Sequence, residues 1–118
     1  MDSRDVGLSG EKAAAAFLKA KGYKIVQPNF RAAGAEVDLV ACIGDILCFV
    51  EVKTRKACDH GEPVAFVTPA KQRRIIRAAR VFSARRPWRG HRVRFDVVSV
   101  LPGGDGPVCD HIEGAFTE

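Results

Sequence analysis

The sequence predicts an α/β fold in which a central mixed β-sheet carries helices on both faces. The element order is αβββαββ, and residues 1–118 form one domain. Three observations predict this. Stretches of helical period near residues 9–21 and 69–85 are separated by runs with strand patterning. Two neighbouring runs, 35–43 and 46–54, are apolar on both faces, as strands are when they lie centrally in a covered sheet. Gly44-Asp45 between those runs reads as a tight hairpin turn.

Residues 1–8 carry little pattern and are expected to fray. Ser9 is an N-cap candidate for a helix running to about Lys21 and closed by Gly22. Ala13, Ala14, Phe17, Leu18 and Lys21 share its inner face, and the alanines allow close packing on a sheet. Glu11 falls in its first turn, where the helix dipole favours an acid. Tyr23 to Val26 reads as a short strand interrupted by Pro28-Asn29, and Ala32-Ala33-Gly34 reads as a flexible lead into the hairpin.

The hairpin register can be counted outward from its turn. Ile43 faces Ile46, Val40 faces Phe49, Asp38 faces Glu51 and Glu36 faces Lys53. Side chains alternate across a strand, so all four charged groups share one face. Directly opposite Cβ atoms are about 4.5–5.5 Å apart, so Asp38 and Glu51 are like charges side by side. Such a pair destabilises a sheet unless a cation sits with it, and carboxylates leaving water are costly unless paired or bound to metal. A divalent metal ion is the expected occupant, with Lys53 close by.

The polar loop from Lys56 to Pro63 follows, placing His60 beside the acids, although a loop histidine is solvent-exposed by default. Thr68-Pro69 is a helix start, a cap followed by proline at the first helical position. The helix runs to about Arg85 and stops before Pro87. Ile75, Ile76, Ala79, Phe82 and Ser83 form its inner stripe. Arg73, Arg77, Arg80 and Arg74 lie outside, the first three on one line suited to tracking phosphates. Lys71 leaves the first turn in another direction. Arg92 to Leu101 is a strand that places Asp96 among apolar neighbours, and Val108 to Ile112 returns as an edge strand after a Pro/Gly-rich turn.

Charge is unevenly spread. Net charge is +5, yet Lys71 to Arg94 holds ten Lys or Arg and no acid, whereas the rest has nine bases and 14 acids. A mildly acidic body with one basic segment suits a polyanion, nucleic acid first. No apolar run approaches the ~20 residues of a membrane span, and the N-terminus lacks the apolar core of a signal peptide. No membrane partner and a cytoplasmic location are therefore expected. Cys42, Cys48, Cys58 and Cys109 form no C-x-x-C pair and no zinc-like spacing with the histidines.

Glu11, Asp38, Glu51 and Lys53 together resemble the active-site set of the restriction-endonuclease-like, or PD-(D/E)xK, nuclease superfamily, Holliday-junction-resolvase branch. There an Asp and a Glu-x-Lys sit on adjacent strands, with an extra helical Glu. The whole chain more closely resembles the YraN family of bacterial endonuclease-like proteins. The landmarks are Gly10-Glu11-Lys12-Ala13-Ala14, Gly22-Tyr23, Asn29-Phe30-Arg31, Glu36-Val37-Asp38-Leu39, Phe49-Val50-Glu51-Val52-Lys53-Thr54-Arg55, Lys71 and Arg94-Phe95-Asp96-Val97-Val98. Ala35 departs from a glycine usual in that family before the Glu, with only a local backbone effect expected.

The resemblance implies a restriction-endonuclease-like fold and Mg²⁺- or Mn²⁺-dependent phosphodiester hydrolysis, with DNA favoured and branched substrates included. Catalytic residues would be Asp38, Glu51, Lys53 and Glu11. Metal ligands would be Asp38, Glu51, the Val52 carbonyl and Glu11, with Glu36 positioning Lys53. Arg73, Arg77, Arg80, Arg74, Arg55 and Lys71 would hold the nucleic acid, and cutting two strands would favour a homodimer. The alternatives are a nucleic-acid-binding module that kept the fold without cleaving, and a protein-interaction domain.

Overall fold

The computed structural model describes residues 3–56 and 67–118, with the course of the backbone alone for residues 3–9. Cys58, His60 and most of the loop that carries them lie outside the described residues. The elements are α1 (Ser3–Ala20), β1 (Lys24–Ala32), β2 (Ala35–Ile43), β3 (Ile46–Thr54), α2 (Pro69–Ser83), β4 (Arg92–Leu101) and β5 (Val108–Phe116). The strands form one sheet in sequence order, β1-β2-β3-β4-β5. β3 and β4 are parallel across the α2 crossover, and the other neighbours are antiparallel.

The expected mixed sheet with helices on both faces is present. The inner face of α1 buries Ala14 and Leu18 with Leu39, Ala41, Cys48, Val50, Val98 and Val100. On the other face, α2 buries Ile75, Ile76, Ala78, Ala79 and Phe82 with Val40, Leu47, Phe49, Phe95 and Val97. Phe82 meets Phe30 and Phe49 edge-on at 4.9 and 5.9 Å between centroids. Burying one such ring contributes about 1.5–3 kcal/mol. Leu47, Phe49, Cys48 and Val50 alternate between the two cores, so β3 is apolar on both sides for a reason.

Several boundaries differ from the sequence reading. α1 begins at Ser3, not after Ser9. Nothing in 3–8 breaks a helix, and the isolated Gly7 costs only about 1 kcal/mol relative to alanine. At the other end Gly22, at φ 96°, closes α1: Gly22 N–H donates to the Lys19 carbonyl and Tyr23 N–H to the Leu18 carbonyl. β1 continues through Pro28-Asn29 because it is an edge strand, where a missing N–H is tolerated. Asn29 takes up the irregularity at φ 51°. Ala33 and Gly34, both at positive φ, are the two turn residues of a β1–β2 hairpin rather than a loose lead.

In the central hairpin Ile43 pairs with Ile46 and Val40 with Phe49, as counted from the turn. The backbone ladder ends at Leu39–Val50, so Asp38 and Glu51 stand just beyond its last rung. The Thr68 side chain caps α2 by accepting the Lys71 N–H at 3.2 Å. α2 ends at Ser83, slightly short of Arg85. β5 runs on to Phe116, whose ring stacks on Phe95 at 5.1 Å.

Asp96 on β4 is fully buried and fully satisfied. Its Oδ1 accepts from Arg94 Nε at 2.9 Å and Gly114 N–H at 3.0 Å, and its Oδ2 from Arg94 Nη2 at 2.8 Å. His111 Nε2 lies 2.8 Å from the same Oδ2. Burial would raise this carboxyl, but these partners hold it below the usual carboxylate range. A buried charge with its oxygens saturated is an architectural clasp between β4 and β5.

Candidate functional site

The acidic end of the central hairpin gathers groups from five elements, α1, β1, β2, β3 and α2. Asp38 comes from β2 and Glu51 from β3, and Glu51 faces α2, from which Lys71 reaches it. Glu11 comes from α1, on the opposite face of the sheet. α1 can approach the end of β3 because residue 10 is glycine: a Cβ there would run into Thr54 Oγ1. The N-terminal half of α1 is thereby laid against the last residues of β3, and Glu11 reaches the acids.

These acids form a chain. Glu11 is within hydrogen-bonding reach of Asp38, and Asp38 of Glu51. Asp38 Oδ2 also accepts the Val52 N–H at 2.8 Å. With its amide nitrogen turned toward the acids, Asn29 donates to Glu11 Oε2 and Glu36 Oε1, each at 3.2 Å. The positive φ of Asn29 thus has a second consequence, since the kink in β1 brings an amide to two carboxylates.

Burial dominates the electrostatics. It pushes Glu51 up to about 7, helped by the neighbouring Asp38 charge and opposed by Lys71. Burial also raises Asp38, against the Val52 N–H and Lys71, and raises Glu11, helped by Asp38 and Glu36. The Glu51 side chain is only 8% exposed; its Oε1 is 2.6 Å from Lys71 Nζ. Its Oε2 is buried and, among the described residues, has no N–H or O–H donor.

The expected residues are therefore only partly reassembled as pictured. Glu11, Asp38 and Glu51 come together, and Lys53 is half-buried two residues beyond Glu51 on the same face of β3. Glu36, expected to position Lys53, pairs with Arg31 across β1–β2, with Oε2 at 3.1 Å from Nη2. Lys71, expected on phosphates, turns inward to Glu51. Arg73, Arg74, Arg77 and Arg80 are exposed along α2, and Arg80 reaches Glu118 at 3.4 Å. Arg55 is half-buried beyond β3, its N–H bonded to the Val100 carbonyl at 2.8 Å. Sequence reasoning missed Asn29 and the inward turn of Lys71. The positive charge sought between the two acids is, in part, this lysine.

Among the described residues, no three Asp, Glu, His or Cys side chains converge as ready ligands of a metal ion. The donor set nonetheless fits a hard cation. Mg²⁺ takes oxygen ligands, needs only one or two carboxylates, and retains waters for the rest. Asp38 and Glu51 supply two adjacent carboxylates, and Glu51 Oε2 is a buried oxygen without a donor among the described residues. Glu11 is a further carboxylate within reach of Asp38.

Comparison with known proteins places the chain. A profile of the "Uncharacterised protein family UPF0102" matches residues 10–100. A UPF0102 protein of Symbiobacterium thermophilum is 50% identical over 115 residues, covering 97% of this chain and 98% of the relative. The chain belongs to the UPF0102 family. A UPF0102 protein of Myxococcus xanthus is 41% identical over 115 residues, 98% of this chain and 91% of its own length. One of Geobacter sulfurreducens is 44% identical over 112 residues, 94% and 88% respectively. The UPF0102 match starts at Gly10, the glycine that seats α1 on Thr54, and takes in Glu11, Asp38, Glu51, Lys53 and Lys71. No helix among the described residues is long and apolar enough to cross a membrane.

Proposed function

We propose that this chain is a single-domain, cytoplasmic, metal-dependent nuclease that hydrolyses phosphodiester bonds in nucleic acid, DNA in preference. The observation that carries the reading is the acid chain Glu11–Asp38–Glu51 at the end of the central strands, in which Glu51 is buried and one of its oxygens has no donor among the described residues. Structural acids in a core are normally satisfied, as Asp96 is in the same protein. Acids left raised and incompletely satisfied in one place are what a reactive site requires.

Asp38 and Glu51 would hold Mg²⁺ or Mn²⁺, with Glu11 and the Val52 carbonyl as supporting oxygens. When bound, such an ion polarises a phosphoryl oxygen and lowers the pKa of water. The Val52 N–H keeps Asp38 facing Glu51 before any ligand arrives. Lys53 orients the attacking water and stabilises negative charge developing on the phosphate. The exposed Arg73, Arg77 and Arg80 grip the sugar-phosphate backbone without reading bases. Two such chains acting together would cut both strands of a duplex.

The test is a cleavage panel of branched, flapped, single-stranded and duplex substrates with Mg²⁺ and with Mn²⁺. Highly purified protein cleaves at least one of them, and Glu51→Gln does not. Binding without metal-dependent cleavage on every substrate would instead support the non-catalytic nucleic-acid-binding module. Indifference to nucleic acid altogether would support a protein-interaction domain.

A further inference from the structure

Lys71 reaches the acids from the first turn of α2, and its origin is fixed because its own N–H is held by the Thr68 cap. Its ammonium lies 2.6 Å from Glu51 Oε1. The two partners are unequal: the Glu51 side chain is 8% exposed and the Lys71 side chain 41%. Glu51 cannot leave its strand, whereas a lysine has a flexible stem and a half-solvated head that can swing into water.

We infer that Lys71 is a built-in cation that occupies Glu51 in the metal-free protein and gives way when a divalent ion binds. This rests on the proposed metal reading. A carboxylate with an ammonium on one oxygen is a poorer ligand through the other, because the incoming charge meets a like charge nearby. The same ammonium explains how the buried Glu51 is tolerated beside Asp38 in the absence of metal: it supplies the compensation that a buried carboxylate otherwise lacks. Lys71 also stands at the head of the basic segment, beside the exposed Arg73 and Arg74, so a released ammonium faces the surface proposed to meet phosphate. One residue would thereby exchange a carboxylate for a phosphate when the site loads.

The alternative is that Lys71 braces Glu51 in the geometry the metal needs. The two roles predict opposite signs. Calorimetric titration of metal-free protein with Mn²⁺ separates them, using wild type, Lys71→Met, Lys71→Gln and Lys71→Arg, each checked for folding by circular dichroism. An internal competitor predicts that Met and Gln tighten Mn²⁺ binding by up to about fivefold, the factor that removing one partly exposed ion pair carries. Arg, which keeps the charge, should resemble wild type. Equal or weaker binding in both neutral variants overturns the inference and leaves the metal reading intact. Absence of Mn²⁺ binding in wild type and both neutral variants overturns both.

Discussion

The Asp38 carboxylate on β2 accepts the backbone N–H of Val52 on β3 at 2.8 Å, one residue past Glu51. Beyond the last backbone rung, a side chain thus continues the strand pairing, and the same contact holds Asp38 within reach of Glu51. The opposition counted from Gly44-Asp45 is realised as a proximity of side chains after the ladder itself has ended.

Glu51 should make stability depend on pH. Its folded value is raised from the ordinary carboxylate range to about 7 by burial and by Asp38. An acid with a raised folded pKa binds its proton more tightly in the folded chain. Its contribution is therefore fully present below the unfolded value and is lost as the pH rises through the folded one. Between pH of about 5 and 8, metal-free wild type should lose on the order of 1–3 kcal/mol that Glu51→Gln does not lose. Urea unfolding across that range checks this; parallel profiles for the two proteins would remove the raised acid from the account.

Gly10 should be intolerant of alanine for a local reason. A Cβ meets Thr54 Oγ1, so the Thr54 side chain or α1 must move, and a shift of α1 carries Glu11 with it. Overpacking of this kind costs about 1–3 kcal/mol. In a Thr54→Ala background the clash is absent, and Gly10→Ala should become neutral or stabilising by up to about 1 kcal/mol, the helix-propensity gain. A thermal-melt double-mutant cycle reads the coupling.

The fold was legible in the residues because both its periods are strong. Alternation through Leu47, Cys48, Phe49 and Val50 marks a doubly covered strand, and Thr68-Pro69 marks the start of α2. Less legible were features that depend on distant partners. Pro28 breaks a central strand but not an edge one, and which it was could only follow from the sheet order. Ala33 in the left-handed region is disfavoured locally and is imposed by hairpin closure. Asp38 and Glu51 were legible from hairpin register, whereas Glu11 on α1 entered only through the family resemblance. Lys71 was legible only in part: helical spacing turns it away from the outer arginines, but the carboxylate its long stem reaches lies on another element.

Replacing Arg73, Arg77 and Arg80 together with alanine should weaken nucleic-acid binding and flatten its salt dependence, by about 0.9 in slope for each lost duplex phosphate contact. Stability should change little, since all three are exposed and exposed pairs such as Arg80–Glu118 contribute little. Fluorescence anisotropy over a salt series reads the slope; an unchanged slope means these arginines do not touch phosphate.

Lys53→Ala should separate chemistry from binding. The variant should fold and bind nucleic acid as wild type does while cleavage falls about 10²–10³-fold, the usual loss for one charge-stabilising donor. Single-turnover rates with saturating protein make the comparison independent of affinity. Near-normal rates would take Lys53 out of the mechanism.

The most direct test of the central claim is a set of melting curves for wild type, Asp38→Asn and Glu51→Gln, each with and without millimolar Mg²⁺ or Mn²⁺. An ion that binds only the folded chain raises its melting temperature by mass action. Wild type should respond to metal, and neither variant should, while the metal-free Asp38→Asn protein melts at or slightly above the wild-type temperature because one of two neighbouring charges is gone. A wild type that ignores both metals, even with nucleic acid present, would contradict the claim that Asp38 and Glu51 form a metal site.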